Sequence, residues 1–201
     1  MSDRPVLFWF RDDLRLADNP GLAAAHATEK PLVLLYILDE QSQGARPLGG
    51  ASKWWLDKSL RSLGQRIADK GGRLILRKGP AEAELAKLVA DAQPSAVFWN
   101  RRYGPARRVD ERIKKSLKAD GIDVESFNAS LLVEPFDLRT GSGDSYKVFT
   151  PFWKALQQSY ASPEANPEPR KIESFGNPRS DDIDDWKLHP SKPDWSGGID
   201  R

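Results

Sequence analysis

The sequence predicts an open, doubly wound α/β fold with a five-stranded parallel sheet, followed by an irregular, proline-rich connector. Its short apolar runs are unbroken, amphipathic stretches separate them, and the periodicity ends near residue 160. A half-exposed strand would alternate apolar and polar residues, so unbroken runs indicate strands that are covered on both faces. Alternating strands and helices favour right-handed crossovers, which place helices on both sides of a Rossmann-like sheet.

Five strands are predicted from these runs. Four are rich in β-branched or aromatic residues, and a weaker fifth one follows them. The five ranges are Pro5–Phe10, Leu32–Leu38, Leu74–Leu76, Ala96–Trp99 and Ile122–Phe127.

Four helices fit between the strands. Asn19 is a favourable side-chain cap and Pro20 suits the first helical position, so a helix is predicted to run from there through Ala27. The other three are indicated by apolar residues three or four positions apart. These residues are Leu56, Leu60, Leu63 and Ile67 in the second helix, Leu85, Leu88 and Val89 in the third, and Val109, Ile113 and Leu117 in the fourth.

The chain changes character after the predicted sheet. Thr150-Pro151 is predicted to cap a further helix, and residues 161–201 then carry six prolines and many charges without periodicity. Such a stretch is atypical of an independent domain. We therefore predict an α/β domain over residues 4–160 and a connector over residues 161–201. Trp186 and Trp195 indicate that the connector lies against other protein, because free linkers seldom carry such large apolar side chains.

Composition excludes several classes of protein. The 201 residues include no cysteine and two histidines, which removes disulfides, thiolate metal sites and histidine-rich zinc centres, so no metal is expected. No apolar run approaches the ~20 residues that span a bilayer, and the first residues do not resemble a signal peptide. We expect a cytoplasmic protein without a membrane partner. The net charge of +2 is too small to indicate nucleic-acid binding by itself.

Candidate ligand-binding residues follow the strands, because open α/β sheets bind ligands at the carboxyl ends of their strands. The three polar segments are 11–15, 39–40 and 100–103. The first and third are rich in arginine, which suits an anionic or planar ligand. The alternative is that Arg11, Asp13 and Arg15 form ion pairs that hold their own loop.

Other features leave the reaction undetermined. The sequence has no G-x-G-x-x-G after the first strand, no Walker P-loop and no G-x-S-x-G. The basic stretch Arg101–Lys118 suits either a nucleic-acid surface or a solvated helix face, and the second interpretation is favoured. Trp54-Trp55 could stack on a ligand, although an anchor for the second helix against the sheet is the favoured interpretation.

Four segments resemble the DNA photolyase and cryptochrome family. FRDDLRLADNP at Phe10–Pro20 resembles the family's opening signature, and KWWLDKSL at Lys53–Leu60 resembles its second helix. YKVFTPFW at Tyr146–Trp153 resembles the segment that closes its N-terminal α/β domain, and Trp99–Asp110 fits a fourth motif. The resemblance extends from Val6 to about Leu156.

The resemblance implies the first part of a two-domain, light-dependent flavoprotein. In this family a helical domain holds FAD and receives a flipped pyrimidine dimer of damaged DNA, which an electron from the excited, reduced FAD splits. That domain typically begins near a Trp-x-x-Gly segment, which Trp195–Gly198 resembles. We therefore expect this chain to stop at the junction, to lack FAD-binding and dimer-contacting residues, and to be inactive alone. Without its covering domain, the connector is expected to be mobile.

The resemblance also implies an antenna chromophore in the α/β domain. The matching positions are Tyr36, Ile37, Leu38 and Asp39 with Arg11 beside them, and Asn100, Arg101 and Arg102 as another wall. Some folate-binding members have Asn-Glu where this sequence has Ala106-Arg107, and deazaflavin binders tend to have an acidic residue where Arg102 stands. A folate, a deazaflavin and a flavin all remain open.

The leading hypothesis is the antenna domain of a DNA repair photolyase. The same domain of a cryptochrome photosensor is the first alternative, because the two groups share these signatures. A stand-alone nucleotide-binding or electron-transfer module is the second, and the two connector tryptophans argue against it.

Overall fold

The computed structural model describes residues 4–42 and 47–199. Its sheet has five parallel strands, in the order β3-β2-β1-β4-β5. The strands are β1 (Val6–Phe10), β2 (Leu32–Leu38), β3 (Leu74–Lys78), β4 (Ala96–Asn100) and β5 (Asp123–Phe127). The predicted doubly wound sheet is confirmed, and the strand order reverses between β1 and β4.

The helices lie close to their predicted positions. They are α1 (Pro20–Ala27), α2 (Gly50–Ala68), α3 (Ala81–Ala92), α4 (Ala106–Ala119) and α5 (Phe149–Ser159). Two short 3₁₀ turns follow at Ile183–Trp186 and Ser196–Gly198. The side chain of Asn19 accepts a hydrogen bond from the amide of Leu22 at 3.0 Å, so the predicted cap is confirmed.

Two apolar clusters cover the two faces of the sheet. Phe8 and Phe10 of β1 face a cluster with α1 and α2, whereas Leu7 and Trp9 face a second cluster with α3 and α4. We call them the α1–α2 cluster and the α3–α4 cluster. Because successive side chains of a strand alternate between faces, unbroken apolar strands supply both clusters.

Several boundaries differ from the predictions. β3 extends two residues further, because Arg77 and Lys78 continue the pairing with β2 despite their charge. β5 begins at Asp123 rather than at Ile122. α5 begins at Phe149, ahead of the predicted Thr150-Pro151 cap. Pro151 fits there because the first-turn N–H groups have no partner within a helix.

The connector packs on the α/β unit. The amide of Leu32 in β2 donates to the carbonyl of Glu173 at 2.7 Å, and the amide of Phe175 donates to the carbonyl of Leu32 at 3.0 Å. Ile172, Trp186 and Leu188 complete the α1–α2 cluster. The expected lack of cover is wrong for this stretch, because this chain's own sheet and helices supply it. Asp200 and Arg201 lie outside the described residues.

Within the described ranges, no helix is long and apolar enough to cross a membrane.

Candidate ligand-binding site

The carboxyl edge of the sheet holds two neighbouring cavities, one on each side of the loop that follows β1. The larger, of about 490 Å³, is an open cleft between the β1 loop and α2, and its lining includes Arg11, Asp13, Tyr36, Trp55 and Leu56. The smaller, of about 250 Å³, lies between the β1 loop and the β4 loop. We call the larger one the edge cleft.

Arg11 is buried on the side of the α3–α4 cluster. Its Nη1 atom lies 2.9 Å from Oδ2 of Asp110 on α4, and its guanidinium carbon lies 4.8 Å and 5.5 Å from the ring centroids of Trp9 and Trp99. Burial lowers the pKa of Arg11 to about 10, and Asp110 opposes that shift. The guanidinium therefore joins β1 to α4, so its ion pair is with a helix and not within its own loop, as the alternative had expected.

Asn100 joins three elements at the reversal point. Its side-chain amide donates to Asp13 and, at 2.8 Å, to Oδ1 of Asn19. Its Oδ1 atom accepts from the amide of Gly21 at 3.0 Å. A Cβ on Gly21 would lie 2.7 Å from that same oxygen, so only glycine allows this approach. Asn100 thus fixes the β1 loop, β4 and the start of α1 together.

Arg101 and Arg102 are also engaged by carboxylates. Nε of Arg101 lies 2.7 Å from Oε1 of Glu134. Nη2 of Arg102 lies 2.8 Å from Oδ1 of Asp110, so that one carboxylate holds both Arg102 and Arg11. Together with Asn100, these three arginines line the smaller cavity. The sequence did not reveal Asp110 or Glu134 as partners, because each is distant along the chain from an arginine it binds.

The four candidate residues from Tyr36 to Asp39 do not lie in one common site. Tyr36 lines the edge cleft, and burial raises its pKa above the ordinary value. Ile37 and Leu38 belong to opposite apolar clusters. Ile37, Leu38 and Asp39 are absent from the described residues that line either cavity.

Asp39 holds local backbone. Its Oδ1 atom accepts from the amides of Gln41 and Ser42 at 3.0 and 2.8 Å, and its Oδ2 atom accepts from the amide of Ala81 at the start of α3 at 3.1 Å. Partial burial acts to raise the pKa of Asp39, but hydrogen bonds led by that from Ser42 outweigh it and keep this pKa below its ordinary value. Asp39 is therefore an ionised cap on α3.

Trp55 is a cleft residue that the sequence interpretation placed elsewhere. Its side chain is 66% exposed, whereas its neighbour Trp54 is 9% exposed and packs 6.3 Å from the ring centroid of Trp195. Trp54 belongs to neither apolar cluster of the sheet, so it anchors α2 to the connector and not, as predicted, to the sheet. Trp55 instead presents an aromatic ring to the edge cleft, where a planar ligand could stack.

A protein-family model described as DNA photolyase matches residues 6–170 of this chain. The chain belongs to the DNA photolyase family. It is 44% identical over 199 residues to the deoxyribodipyrimidine photo-lyase of Agrobacterium fabrum, a match that covers 98% of this chain and 41% of that protein. It is 36% identical over 169 residues to cryptochrome-1 of Arabidopsis thaliana, covering 83% of this chain and 25% of that protein.

Solved structures of photolyases have the same fold as this family member. The bacterial class III photolyase from Agrobacterium tumefaciens matches with a TM-score of 0.91 at 41% identity, covering 100% of this chain and 41% of that one. The archaeal photolyase from Sulfolobus tokodaii, solved with two FAD molecules, matches with a TM-score of 0.76 at 25% identity, covering 92% and 41%. The chain thus spans about two fifths of these photolyases.

Proposed function

We propose that this chain is the antenna-chromophore-binding α/β domain of a light-dependent DNA repair photolyase. The observation that carries the proposal is the edge cleft, an open cavity of about 490 Å³ with the exposed ring of Trp55 in its lining. It lies at the carboxyl ends of β1 and β2, and the adjoining smaller cavity lies at the reversal of strand order between β1 and β4, where doubly wound sheets bind their ligands. Family membership then favours a light-absorbing ligand there.

The proposed ligand is a planar chromophore: a folate, a deazaflavin or a flavin. Trp55 would stack on its ring system, with Tyr36 in the floor of the cleft and the Arg11 segment as a side. Asn100, Arg101 and Arg102 would form the wall of the adjoining smaller cavity. Ile37 and Leu38 would support the cleft indirectly by packing in the two apolar clusters, and Asp39 would do so by holding the start of α3. This cleft fits a planar group because an exposed aromatic ring borders it.

The proposal includes a larger parent protein. Its partner would be a helical domain that binds FAD and damaged DNA, with FAD supplying the electron that splits cyclobutane pyrimidine dimers. α5 suits a contact with that domain, because Phe149 and Trp153 stack at 6.1 Å on the outside of the molecule and both are exposed. The domain limits, 4–160 and 161–201, and a cytoplasmic location stay predictions.

A cryptochrome photosensor is the less favoured alternative. Two photo-lyases, at 44% and 38% identity, match this chain at higher identity than the cryptochromes do, at 36% and below. A stand-alone nucleotide-binding module is also less favoured, since the exposed apolar side of α5 would have no cover.

The first experiment tests the edge cleft. A folate, a deazaflavin and flavin mononucleotide are titrated separately into the 201-residue chain, and ligand fluorescence reports binding. We expect one to bind and Trp55→Ala to weaken it by about tenfold, as loss of one stacking ring implies. Trp153→Ala, an exposed tryptophan remote from the cleft in sequence, is the control. Unchanged binding by Trp55→Ala would remove the cleft from the proposal.

The second experiment tests the reaction in the native protein that contains this chain. Purified protein with FAD is mixed with dimer-containing DNA under blue light, and restored bases are measured against a dark control. Repair is the expected result. No repair, with chromophore binding retained, would favour the photosensor.

A further inference from the structure

We infer that the outward side of α4 binds the phosphate backbone of a nucleic acid, without reading its sequence. α4 carries six basic residues against two carboxylates, Asp110 and Glu111. Four of the exposed basic residues follow one another along the helix: Arg108, Arg112, Lys115 and Lys118. We call these four the α4 ridge. The inference does not rest on the proposed function, in which DNA is bound by a helical domain.

The α4 ridge follows the geometry of the helix. Arg108, Arg112 and Lys115 are four and three positions apart, which at about 100° per residue keeps them within about 60° of one another around the helix axis. Lys118 continues the ridge one turn later. From Arg108 to Lys118 the ridge extends about 15 Å, at about 1.5 Å per residue. One strand of duplex DNA presents about four phosphates over that length, at about 3.4 Å each.

The outward side of α4, a helix whose residues the structure describes throughout, offers a partner no large apolar side chain. Val109, Ile113 and Leu117 are at most 5% exposed and belong to the α3–α4 cluster. Protein interfaces and membrane-bound helices both need apolar surface in addition to charge. A partner of the α4 ridge must therefore bind by charge. Nucleic-acid backbone suits this best, because phosphate neutralisation supplies essentially all of its non-specific affinity for proteins.

The carboxylates near the α4 ridge leave it with unneutralised charge. Asp110 is buried and is bound by two arginines from outside α4, and Glu111 is bound by Arg107 at 2.8 Å. Nε of Arg112 lies 3.6 Å from Oε2 of Glu82 on α3, which is longer than a hydrogen bond. In the part of the chain that the structure describes, the other three ridge residues have no carboxylate partner.

Like charges distinguish α4 from an ordinary solvated helix face. Solvated faces typically place acidic and basic residues at i and i+4, which stabilises the helix. α4 instead has the basic pairs Arg108–Arg112 and Lys114–Lys118 at that spacing, which is unfavourable. Burial lowers the pKa of Lys114, and repulsion from Lys118 adds to that effect, against a weaker attraction from Glu125. The solvated face that the sequence favoured explains the exposure of these residues, whereas bound phosphates would also remove their repulsion.

The test measures DNA binding by the 201-residue chain in the dark. A fluorescein-labelled duplex of about 20 base pairs, without damaged bases, is titrated by fluorescence anisotropy at several salt concentrations. We expect a dissociation constant of about 1–100 µM at about 50 mM salt, which is the range of non-specific contacts. Four neutralised phosphates imply that affinity falls about hundredfold between about 50 and 200 mM salt.

A triple variant locates the bound DNA. Arg108→Gln, Lys115→Gln and Lys118→Gln together remove the ridge residues that have no carboxylate partner among the described residues. We expect this variant to bind more than about tenfold more weakly, and its remaining salt dependence to correspond to about one phosphate contact. It should fold normally because all three side chains are exposed, which circular dichroism checks.

The matched control removes the same charge elsewhere. Lys154→Gln, Arg170→Gln and Lys187→Gln together lower the net charge by the same amount at exposed positions outside α4. Because the α4 ridge stays intact, this variant should bind less than about threefold more weakly and keep the full salt dependence.

Three outcomes would overturn the inference. The first is that the duplex does not bind below about 100 µM at about 50 mM salt. The second is that the control weakens binding as much as the ridge variant, because net charge rather than the α4 ridge would then be responsible. The third is that vesicles of phosphatidylglycerol and phosphatidylcholine bind more tightly than the duplex, which would assign the ridge to a membrane surface. None of the three bears on chromophore binding in the edge cleft, so the two proposals fail separately.

Discussion

Two segments that follow the sheet, α5 and the connector, show opposite relations between sequence pattern and packing. α5 is amphipathic and helical, yet among its residues, all of which the structure describes, Leu156 alone is buried. The connector has no periodicity, yet Trp186 is 6% exposed within the α1–α2 cluster, whereas Phe149 of α5 is 71% exposed. Regular secondary structure is therefore no measure of attachment to the core. Attachment depends on which apolar side chains meet an uncovered face.

The connector is attached to the core and α5 is not, because the helices leave one part of the sheet uncovered and the connector reaches it. α1 has eight residues and leaves part of the β1–β2–β3 face to be covered. The connector reaches that place and donates backbone hydrogen bonds there, including one from the amide of Ile172 to the carbonyl of Lys70 at 2.8 Å. Glu168 also lies 3.0 Å from Arg66 and 3.3 Å from Lys70 of the α2 region. Extended chain serves this purpose because its backbone groups are free to pair.

The largest effect is expected from removing the connector. Ending the chain after Tyr160 would uncover the α1–α2 cluster by deleting Ile172, Trp186 and Leu188. Each such side chain contributes about 1.5–3 kcal/mol through burial, and the total stability of a domain is about 5–15 kcal/mol. We expect loss of the cooperative thermal transition measured by circular dichroism. An unchanged melting temperature would mean that the connector is dispensable.

A single buried ring should reproduce part of that loss. Trp186→Ala is expected to lower the free energy of unfolding by about 3–5 kcal/mol, because it leaves a cavity in the core. Trp153→Ala on α5 is the matched control, with an expected change within about 0.5 kcal/mol. Urea denaturation measures both. Equal effects of the two variants would contradict the contrast between connector and α5.

Asp39 extends the comparison to the candidate site. Unlike the open edge cleft, its carboxylate already accepts hydrogen bonds from three backbone amides. Asp39→Ala removes three hydrogen bonds, including the cap on α3, and is expected to cost about 1–2 kcal/mol of stability. The folded-state pKa of Asp39 is below its ordinary value of about 3.9, so this stabilisation is present above about pH 4 and is lost as the pH falls through the folded-state pKa.

Denaturation of Asp39→Asn and of the unchanged chain between about pH 3 and pH 6 tests this linkage. The variant should show the shallower loss of stability towards acid. Chromophore affinity should change more in Trp55→Ala than in Asp39→Ala. The reverse ranking would return Asp39 to the binding surface.

The smallest effect is expected on the exposed side of α5. Phe149→Ser should change the free energy of unfolding by about 0.5 kcal/mol or less, since the ring is exposed and makes its contact with Trp153 on the surface. It should nevertheless reduce the binding of a fluorescent apolar dye. A destabilisation of several kcal/mol would show that α5 is already part of the core.

Local patterns were sufficient for most of the fold. Unbroken apolar runs identified the strands, Asn19-Pro20 identified the start of α1, and spacing identified the inner faces of α2 and α4. The last two residues of β3, Arg77 and Lys78, were not predicted as strand. They belong to β3 because they pair with β2, and the sequence of a single segment does not show that pairing. The start of α5 was misplaced for a similar reason, since two positions ahead of Pro151 can still begin a helix.

The candidate site also distinguishes features that the sequence determines from features that only the folded chain determines. The sequence by itself determined the parallel sheet and the family signatures, because these depend on patterns within short segments, and it predicted the carboxyl edge as the place for a ligand. Only the tertiary structure decided that Asp110 holds Arg11 and Arg102, that Trp55 is exposed while Trp54 is buried, and that the connector closes the core. Those outcomes depend on which distant residues meet, and burial and pairing are properties of the assembled chain rather than of any one segment.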